Sequence, residues 1–268
     1  MIQLVATDID GTLLDEHRSL SDQTLKAFKK IQKLPVVLIS ARMPQAMYYL
    51  QDLLERREMP VICYNGALIK DQDQIMYSTT IGYKPLEQLA HIAIQHQLHI
   101  SIYRNDEWFV PQLDYWAQRE INNTRVRPTV QDVKKTLDYF KETIALGGAH
   151  KVMFMGDADA MNLAFAKAES LPASLHLYRS KDTYTEISPV DISKKTALEL
   201  LLKERFASIT MGDVVAFGDN YNDVEMIRSV GYGVAVENAR DVVKEVARFE
   251  TLHHKEHGVA HWLENYLK

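Results

Sequence analysis

Two aspartates, Asp8 and Asp10, stand at the end of the first apolar run of the chain, and Gly11 follows them. Residues 2–6 predict a buried strand, and a glycine lets the backbone turn sharply where that strand ends. Ligands of open α/β sheets bind beyond the carboxyl ends of the strands, so we expect both carboxylates at a ligand site. One carboxylate could attack an electrophile while the other transfers a proton.

A polar turn or a calcium loop is the alternative interpretation of this aspartate pair. A calcium loop of the helix-loop-helix kind needs further oxygen ligands and a glutamate at its twelfth position. Leu13 and Leu14 follow here, and Ser19 stands where that glutamate would be. The sequence therefore disfavours a calcium loop.

Three other segments each end an apolar run or open a helical pattern. They contribute a hydroxyl, a lysine and another acid, which are groups that a pair of reactive carboxylates needs. They are Ser40 after the run 36–39, Lys194 ahead of the helical pattern 197–202, and Asp219 after the run 214–217.

Five motifs follow one another along the chain. They are Asp8-Ile9-Asp10-Gly11-Thr12, Ser40-Ala41-Arg42, Asn65-Gly66-Ala67, Glu186-Ile187 running on to Ser193-Lys194, and Gly218-Asp219 with Asn222-Asp223. In order and spacing they resemble the haloacid dehalogenase (HAD) superfamily of phosphohydrolases, in its Cof-type branch with a class IIB cap. The resemblance spans nearly the whole chain. It implies an α/β fold, with a Rossmann-like parallel-sheet core and an inserted α+β cap domain.

Phosphoryl chemistry assigns roles to the charged residues of these motifs. A phosphate monoester is a dianion, so an anionic nucleophile approaches it only where cations screen the charge. We expect Asp8 to be the nucleophile that forms an aspartyl-phosphate, and Asp10 to be the general acid and base. Mg²⁺ prefers oxygen ligands, and the resemblance implies Asp8, Asp219 and the backbone carbonyl of Asp10. Lys194 would offset negative charge.

The resemblance also implies groups that bind phosphate or support the catalytic residues. The Ser40 hydroxyl would donate to a non-bridging phosphoryl oxygen. The predicted phosphate-binding residues are Ser40, Ala41, Arg42 and Asn222. The predicted supporting residues are Thr12, Asn65 and Asp223, the last positioning Lys194 together with Asn222.

Several of these residues have a less specific interpretation. Ser40 by itself is more commonly a helix N-cap, and Lys194 by itself a solvated charge. Lys195 stands beside it, and only the family pattern favours Lys194 as the catalytic lysine. Asp157 also follows a glycine, but it leads directly into the helical pattern 160–168, which predicts an N-cap.

Length and composition fit a soluble enzyme with two lobes. The chain has 268 residues and 46% apolar content, enough to fill two cores. A net charge of -5, with no run of like charge, argues against nucleic acid as a partner. The single cysteine, Cys63, excludes an internal disulfide framework. No signal segment or membrane span is evident, so we expect a cytoplasmic protein without a membrane or obligate protein partner.

Strand and helix patterns alternate in residues 1–81 and 189–268, which predicts two halves of one core with parallel strands. The predicted core strands are 3–8, 36–40, 61–64, 67–70, 75–79, 214–217 and 231–236, and the helices are 21–32, 44–57, 195–206, 224–229 and 239–247. Asn65 and Gly66 predict a tight hairpin. Residues 82–188 mix helical and β-like runs, which predicts the inserted α+β cap. Its predicted helices are 85–97 and 161–169, and its strands 100–104, 151–155, 175–178 and 183–187.

Two departures from the family pattern stand out. Ala41 replaces a usual glycine, which could shift Arg42 slightly. Near the C-terminus, His253 and His257 have the spacing of metal ligands on a helix. Gly258 follows at once and no cysteine is near, so we interpret this segment as a loop and not as a zinc site.

The sequence thus predicts a phosphatase that uses Mg²⁺ and an aspartyl-phosphate, acting on sugar phosphates or similar small phosphorylated metabolites. A phosphotransferase or phosphomutase would use the same nucleophile and pass the phosphoryl group to an acceptor. A phosphoaccepting receiver domain needs only about half this length and no second acid two residues on. A silent binding protein is disfavoured because every chemical role is filled.

Overall fold

The computed structural model describes residues 1–171, 174–190 and 192–267, with Ser180 described by its backbone alone. The chain divides into two compact units, Met1–Tyr77 with Ile192–Lys268, and Ser78–Asp191. Throughout the described ranges, no helix combines the length and apolar character needed to cross a bilayer. The assignment of residues 82–188 as a functional cap stays a prediction.

Strands and helices alternate in the first segment of the chain. These elements are β1 (Leu4–Thr7), α1 (Asp22–Lys30), β2 (Val36–Ile39), α2 (Gln45–Leu53), β3 (Val61–Cys63), β4 (Leu68–Asp71) and β5 (Gln74–Ser78). The middle segment mixes helices with strands of two to seven residues. It contains α3 (Tyr83–Gln95), β6 (His99–Arg104), β7 (Glu107–Val110), α4 (Tyr115–Thr124), β8 (Thr129–Val130), α5 (Val133–Glu142), β9 (Lys151–Met155), α6 (Ala158–Glu169), β10 (Leu175–Lys181) and β11 (Tyr184–Pro189).

The last segment returns to strict alternation. Its elements are α7 (Lys194–Arg205), β12 (Val214–Gly218), α8 (Val224–Ser229), β13 (Tyr232–Val236), α9 (Asp241–Val246), β14 (Phe249–Thr251) and α10 (Gly258–Tyr266). Two helices begin at serine caps. Ser21 Oγ accepts the Thr24 N–H at 3.1 Å, and Ser193 Oγ accepts the Thr196 N–H at 3.2 Å. Each cap satisfies an N–H that the first helical turn leaves unpaired.

The first unit contains an eight-stranded sheet in the order β14-β13-β12-β1-β2-β3-β4-β5. Its strands run parallel from β14 to β3, and β4 is antiparallel to β3. All four residues of β1 are buried, as expected for a central parallel strand covered on both faces. The predicted α/β fold with a parallel sheet is confirmed.

The second unit contains a six-stranded sheet in the order β10-β11-β9-β6-β7-β8. Its neighbours pair antiparallel except β7 and β8. Leu86 and Leu89 of α3 belong to one buried cluster with Phe140 of α5 and Ala164 of α6, and Phe154 of β9 is also part of it. This unit therefore has its own α+β core.

Several predictions need correction. The hairpin between β3 and β4 exists, but a 3-10 turn over Tyr64–Gly66 joins its strands, where a tighter turn was predicted. The turn is longer because its N–H groups bond elsewhere: Tyr64 to the Arg42 carbonyl at 3.1 Å and Asn65 to the Ser40 carbonyl at 2.9 Å. Six elements were missed altogether, namely β7, α4, β8, α5, β14 and α10. The predicted N-cap at Asp157 is confirmed.

Candidate active site

The aspartates of the first motif lie at the carboxyl edge of the parallel sheet. β1 lies between β12 and β2, with Thr7 opposite Phe217. The N–H of Asp8 continues this pairing by donating to the Phe217 carbonyl at 3.0 Å. Asp219, which follows β12, therefore comes close to Asp8, although the two residues are far apart in the sequence.

A buried lysine links two of the acids. Lys194 Nζ donates to Asp8 Oδ1 at 2.5 Å and to Asp223 Oδ1 at 2.6 Å, and its side chain is fully buried. Lys195 points elsewhere and pairs with Glu199 at 3.1 Å. The structure thus brings Lys194, and not its neighbour, into the site.

Asp223 is held on both sides. Its Oδ2 accepts the backbone N–H groups of Asp219 and Asn220, each at 3.0 Å, while Oδ1 accepts from Lys194. This carboxylate is fully buried. It therefore fixes both the lysine and the turn that carries Asp219.

Asp8, Asp219 and Asp223 form a group whose carboxylate oxygens lie within 4.8 Å of one another. Three carboxylates against the single ammonium of Lys194 leave an excess of negative charge. Burial, together with the neighbouring acids, raises the pKa of Asp8 well above its ordinary value, and it raises the pKa of Asp219 to about 7. A divalent cation bound to these carboxylates would relieve the electrostatic repulsion between them. The all-oxygen donor set suits Mg²⁺.

Gly11 and Thr12 shape the space around Asp219. Thr12 Oγ1 donates to Asp219 Oδ1 at 3.1 Å. Gly11 has φ +84°, and a Cβ at this position would lie 2.6 Å from Asp219 Oδ2. Only glycine combines this backbone conformation with so close a carboxylate. The last two residues of the motif Asp-x-Asp-Gly-Thr therefore accommodate Asp219, which belongs to a different motif.

Asp10 lies outside this carboxylate group and is clamped by arginines. Arg42 donates from Nε to Asp10 Oδ2 at 2.7 Å and from Nη2 to Oδ1 at 2.8 Å. Arg18 Nη2 donates to the same Oδ1 at 2.6 Å. Burial acts to raise the pKa of Asp10, but the hydrogen bonds and charge of Arg42, aided by Arg18, outweigh it and lower that pKa.

Further hydrogen bonds fix the Arg42 side chain. It is buried, and its Nη1 donates to the Ala46 carbonyl at 3.2 Å and to the Tyr49 hydroxyl at 3.3 Å. The sequence predicts Arg42 as a phosphate ligand. In the structure its guanidinium forms a bidentate pair with Asp10, which suits a buried guanidinium, and the role in phosphate binding stays a prediction.

Hydrogen bonds link the second motif to the third, from the Asn65 N–H to the Ser40 carbonyl, and the third motif to the last. Ser40 Oγ accepts the Arg42 N–H at 3.2 Å, and Ala41 lies between these two residues. Asn222 Nδ2 donates to Asn65 Oδ1 at 2.9 Å. Asn65 has a left-handed backbone, φ 57°, which asparagine tolerates better than most residues. The structure thus joins Asn222, of the last motif, to the turn after β3.

Sequence reasoning missed Arg18 and Asn238. Asn238 Nδ2 donates to the Gly11 carbonyl at 2.8 Å, and its Oδ1 accepts the His254 N–H at 3.0 Å. His254 Nδ1 lies 2.7 Å from the Leu14 carbonyl. The histidine segment contains a short 3-10 helix over His254–Glu256, and α10 begins after it. In this segment His254 supports the first motif. The sequence did contain a signal for Arg18, since it is the single arginine or lysine in the loop that follows the first motif.

Comparison with known proteins identifies the family. Residues 5–263 match the haloacid dehalogenase-like hydrolases, and the chain belongs to that family. The resemblance found in the motifs is confirmed. The chain is 27% identical to 5-amino-6-(5-phospho-D-ribitylamino)uracil phosphatase of Bacillus subtilis, covering 98% of this chain and 97% of that one. It is 26% identical to HMP-PP phosphatase of Escherichia coli, covering 100% and 96%.

A solved structure supports the same conclusion. A haloacid dehalogenase-like hydrolase from Bacteroides thetaiotaomicron superposes with a TM-score of 0.89 at 26% identity, over 99% of each chain. The subclass IIB sugar phosphatase BT4131 superposes with a TM-score of 0.78 at 18% identity, which shows the shared fold. The family is one of hydrolases and the two relatives are named phosphatases, in agreement with the enzyme class predicted from the sequence.

Proposed function

We propose that this chain is a Mg²⁺-dependent phosphomonoester hydrolase that acts through an aspartyl-phosphate on Asp8. The observation that carries the proposal is the fixed carboxylate of Asp8. Lys194 holds its Oδ1, whereas Oδ2 receives no hydrogen bond from the described part of the chain. A nucleophile with one oxygen anchored and the other available is oriented before the substrate arrives.

In the first step, Asp8 Oδ2 forms a bond to phosphorus while the bond from phosphorus to the leaving oxygen breaks. Asp10 would give a proton to that oxygen, which requires it to be protonated in the substrate complex although the arginines lower its pKa in the free protein. In the second step, a water oxygen attacks phosphorus, Asp10 takes the proton of that water, and the bond to Asp8 breaks. The Arg42 clamp aims Asp10 in both steps, and the Ser40 hydroxyl donates to a phosphoryl oxygen.

Negative charge must be screened for this attack to occur. Lys194 supplies one fixed positive charge beside the nucleophile. Asp8 and Asp219, with the backbone carbonyl of Asp10, would hold Mg²⁺, and Asp223 would hold Lys194. When bound, the metal polarises the phosphoryl oxygens and lowers the repulsion between nucleophile and substrate.

Small phosphorylated metabolites are the proposed substrates. The relatives named above are phosphatases of such compounds, 5-amino-6-(5-phospho-D-ribitylamino)uracil and HMP-PP. The residues assigned above to the phosphoryl group do not choose among such esters, because that group is common to all of them.

Three substitutions test the assignment of roles. Asp8→Asn should abolish release of phosphate, because an amide is a poor nucleophile. Residual activity within about tenfold of wild type, ~1.4 kcal/mol in the barrier, would contradict the assignment of Asp8 as the nucleophile.

Asp219→Asn should weaken Mg²⁺ binding in calorimetry. Asp10→Asn is its matched control, because it should slow turnover and leave Mg²⁺ affinity near the wild-type value. The reverse pattern would exchange these two roles. Phosphate release without an added acceptor alcohol separates hydrolysis from phosphotransfer.

A further inference from the structure

Asp10 carries one more arginine than its positioning requires. Arg42 already satisfies both carboxylate oxygens and is itself anchored by Ala46 and Tyr49. Arg18 adds a second guanidinium at the exposed side, with 46% of its side chain accessible against 5% for Arg42. One carboxylate facing two guanidinium groups leaves a surplus positive charge at this edge of the site.

The loop that carries Arg18 is preformed. Asp15 Oδ1 accepts the N–H groups of His17 and Ser19, each at 2.9 Å, and the Arg18 N–H donates to the Asp15 carbonyl at 3.1 Å. Arg18 itself has a left-handed backbone, φ 56°, which a long side chain adopts only at a cost. The turn built by Asp15 maintains this conformation, and it directs the guanidinium toward Asp10.

Within the described ranges, the guanidinium of Arg18 donates a single hydrogen bond, to Asp10 Oδ1. A guanidinium has five N–H donors in a planar fork that matches a carboxylate or phosphate. Exposed ion pairs contribute little to stability, so exchanging this contact for another anion costs little. Arg18 is therefore able to bind an anion while Arg42 keeps Asp10 in place.

We propose that Arg18 binds a second anionic group, a phosphate or a carboxylate, on the leaving group of the substrate. The proposal rests on the proposed function, in which Asp10 contacts the leaving oxygen. Arg18 donates to the Asp10 carboxylate, and the leaving oxygen would contact the same carboxyl group. Only this carboxyl group would therefore separate the guanidinium from the leaving oxygen. An anion a few bonds away from the scissile ester is within its reach. The preferred substrates are then phosphate esters or anhydrides whose leaving group is itself negatively charged.

Two pairs of matched esters test this specificity. The aryl pair is meta-carboxyphenyl phosphate and its neutral amide, meta-carbamoylphenyl phosphate. The aliphatic pair is phosphoglycolate and hydroxyethyl phosphate. Released phosphate gives kcat/KM for wild type, Arg18→Gln, Arg18→Lys and the control Lys29→Gln, which removes an equal charge from the exposed face of α1.

Arg18→Gln should lower kcat/KM for the anionic member of at least one pair by about 10- to 100-fold, the usual range for a lost charge-assisted hydrogen bond. Any loss that comes from the contact with Asp10 falls on both members equally, so the test measures the ratio of kcat/KM between the anionic and the neutral member, which should fall by about 10-fold or more. Arg18→Lys should retain part of the preference, since it keeps the charge but loses the fork. Lys29→Gln should leave both pairs unchanged.

Two results would overturn the proposal. An equal loss on both members would make Arg18 a positioning residue for Asp10, and no selective loss in either pair would remove it from substrate recognition. Failure of the proposed function has a different signature. In that case wild type would not hydrolyse the neutral aryl ester in the presence of Mg²⁺, and the specificity proposal would fall with it.

Discussion

Replacing Lys194 with methionine is expected to lower the free energy of unfolding of the metal-free protein by about 3–5 kcal/mol. Removing one partner of a buried ion pair costs about this much, because the remaining charge is buried without compensation. Lys194 is fully buried, and the side chains of its two partners, Asp8 and Asp223, are 8% and 0% exposed. The remaining carboxylates, including Asp219, would then face one another without a cation.

The magnitude should depend on pH in a defined direction. The pKa values of Asp8 and Asp219 are already raised by burial, and loss of the ammonium raises that of Asp8 further. A raised carboxyl pKa stabilises the fold at low pH, and this contribution is lost as pH rises through the folded-state pKa. The cost of Lys194→Met should therefore be larger at about pH 8 than at about pH 5, where protons neutralise the carboxylates.

Urea unfolding with a chelator present measures this cost, and Lys195→Met provides the control. Lys195 pairs with Glu199 one helical turn away, and a third of its side chain is exposed. Such a pair contributes about 0.3–0.5 kcal/mol. Similar losses for the two variants, or a loss for Lys194→Met that does not change with pH, would refute the assignment of Lys194 as the buried counter-ion of the acids.

Three further predictions concern metal binding and pH. Because the pKa of Asp219 is raised to about 7, protons should compete with Mg²⁺, and calorimetry should show affinity falling as pH drops below 7; a constant affinity from about pH 5 to 8 would contradict this. Gly11→Ala should weaken Mg²⁺ binding by about tenfold or more, ~1.4 kcal/mol, since its Cβ would collide with Asp219; unchanged calorimetry would exclude that collision. Burial, reinforced by the charge of Arg104, lowers the pKa of His150 to about 4, so stability present above pH 6.5 should be lost toward pH 4, by up to about 3 kcal/mol. In pH-dependent unfolding, His150→Gln should remove most of that slope, and an unchanged slope would assign it to other groups.

The central strands could be predicted from sequence because they are buried on both faces. β1, β2 and β12 are continuous apolar runs, and each ends within one residue of its predicted boundary. The missed elements lack such signals. β14 has three residues and is at most half-buried, and α10 follows His257, which offers no usual N-cap side chain. The second sheet was underestimated because β7 is short and β8 is exposed.

The candidate site shows a similar division. The family resemblance predicted Asp8 and Asp219 as ligands of one metal, and each follows an apolar run that forms a parallel strand ending at the same edge of the sheet. Side-chain pairing between distant residues carries no such signal. The clamp of Arg42 on Asp10 spans 32 positions and depends on how α2 and its preceding loop are packed. The choice between Lys194 and Lys195 is a matter of which face of α7 turns inward, and the residues alone left it open.

The most direct test of the central claim is chemical trapping of the aspartyl-phosphate. Asp10→Asn should slow hydrolysis of the intermediate, whereas an activated aryl phosphate needs little help from an acid to leave. An acid quench during the first turnover, followed by borohydride reduction and peptide mass spectrometry, converts an acyl phosphate at an aspartate to homoserine. Homoserine is expected at position 8, dependent on substrate and Mg²⁺. Homoserine at another position, or none while aryl alcohol is released in a burst, would contradict it.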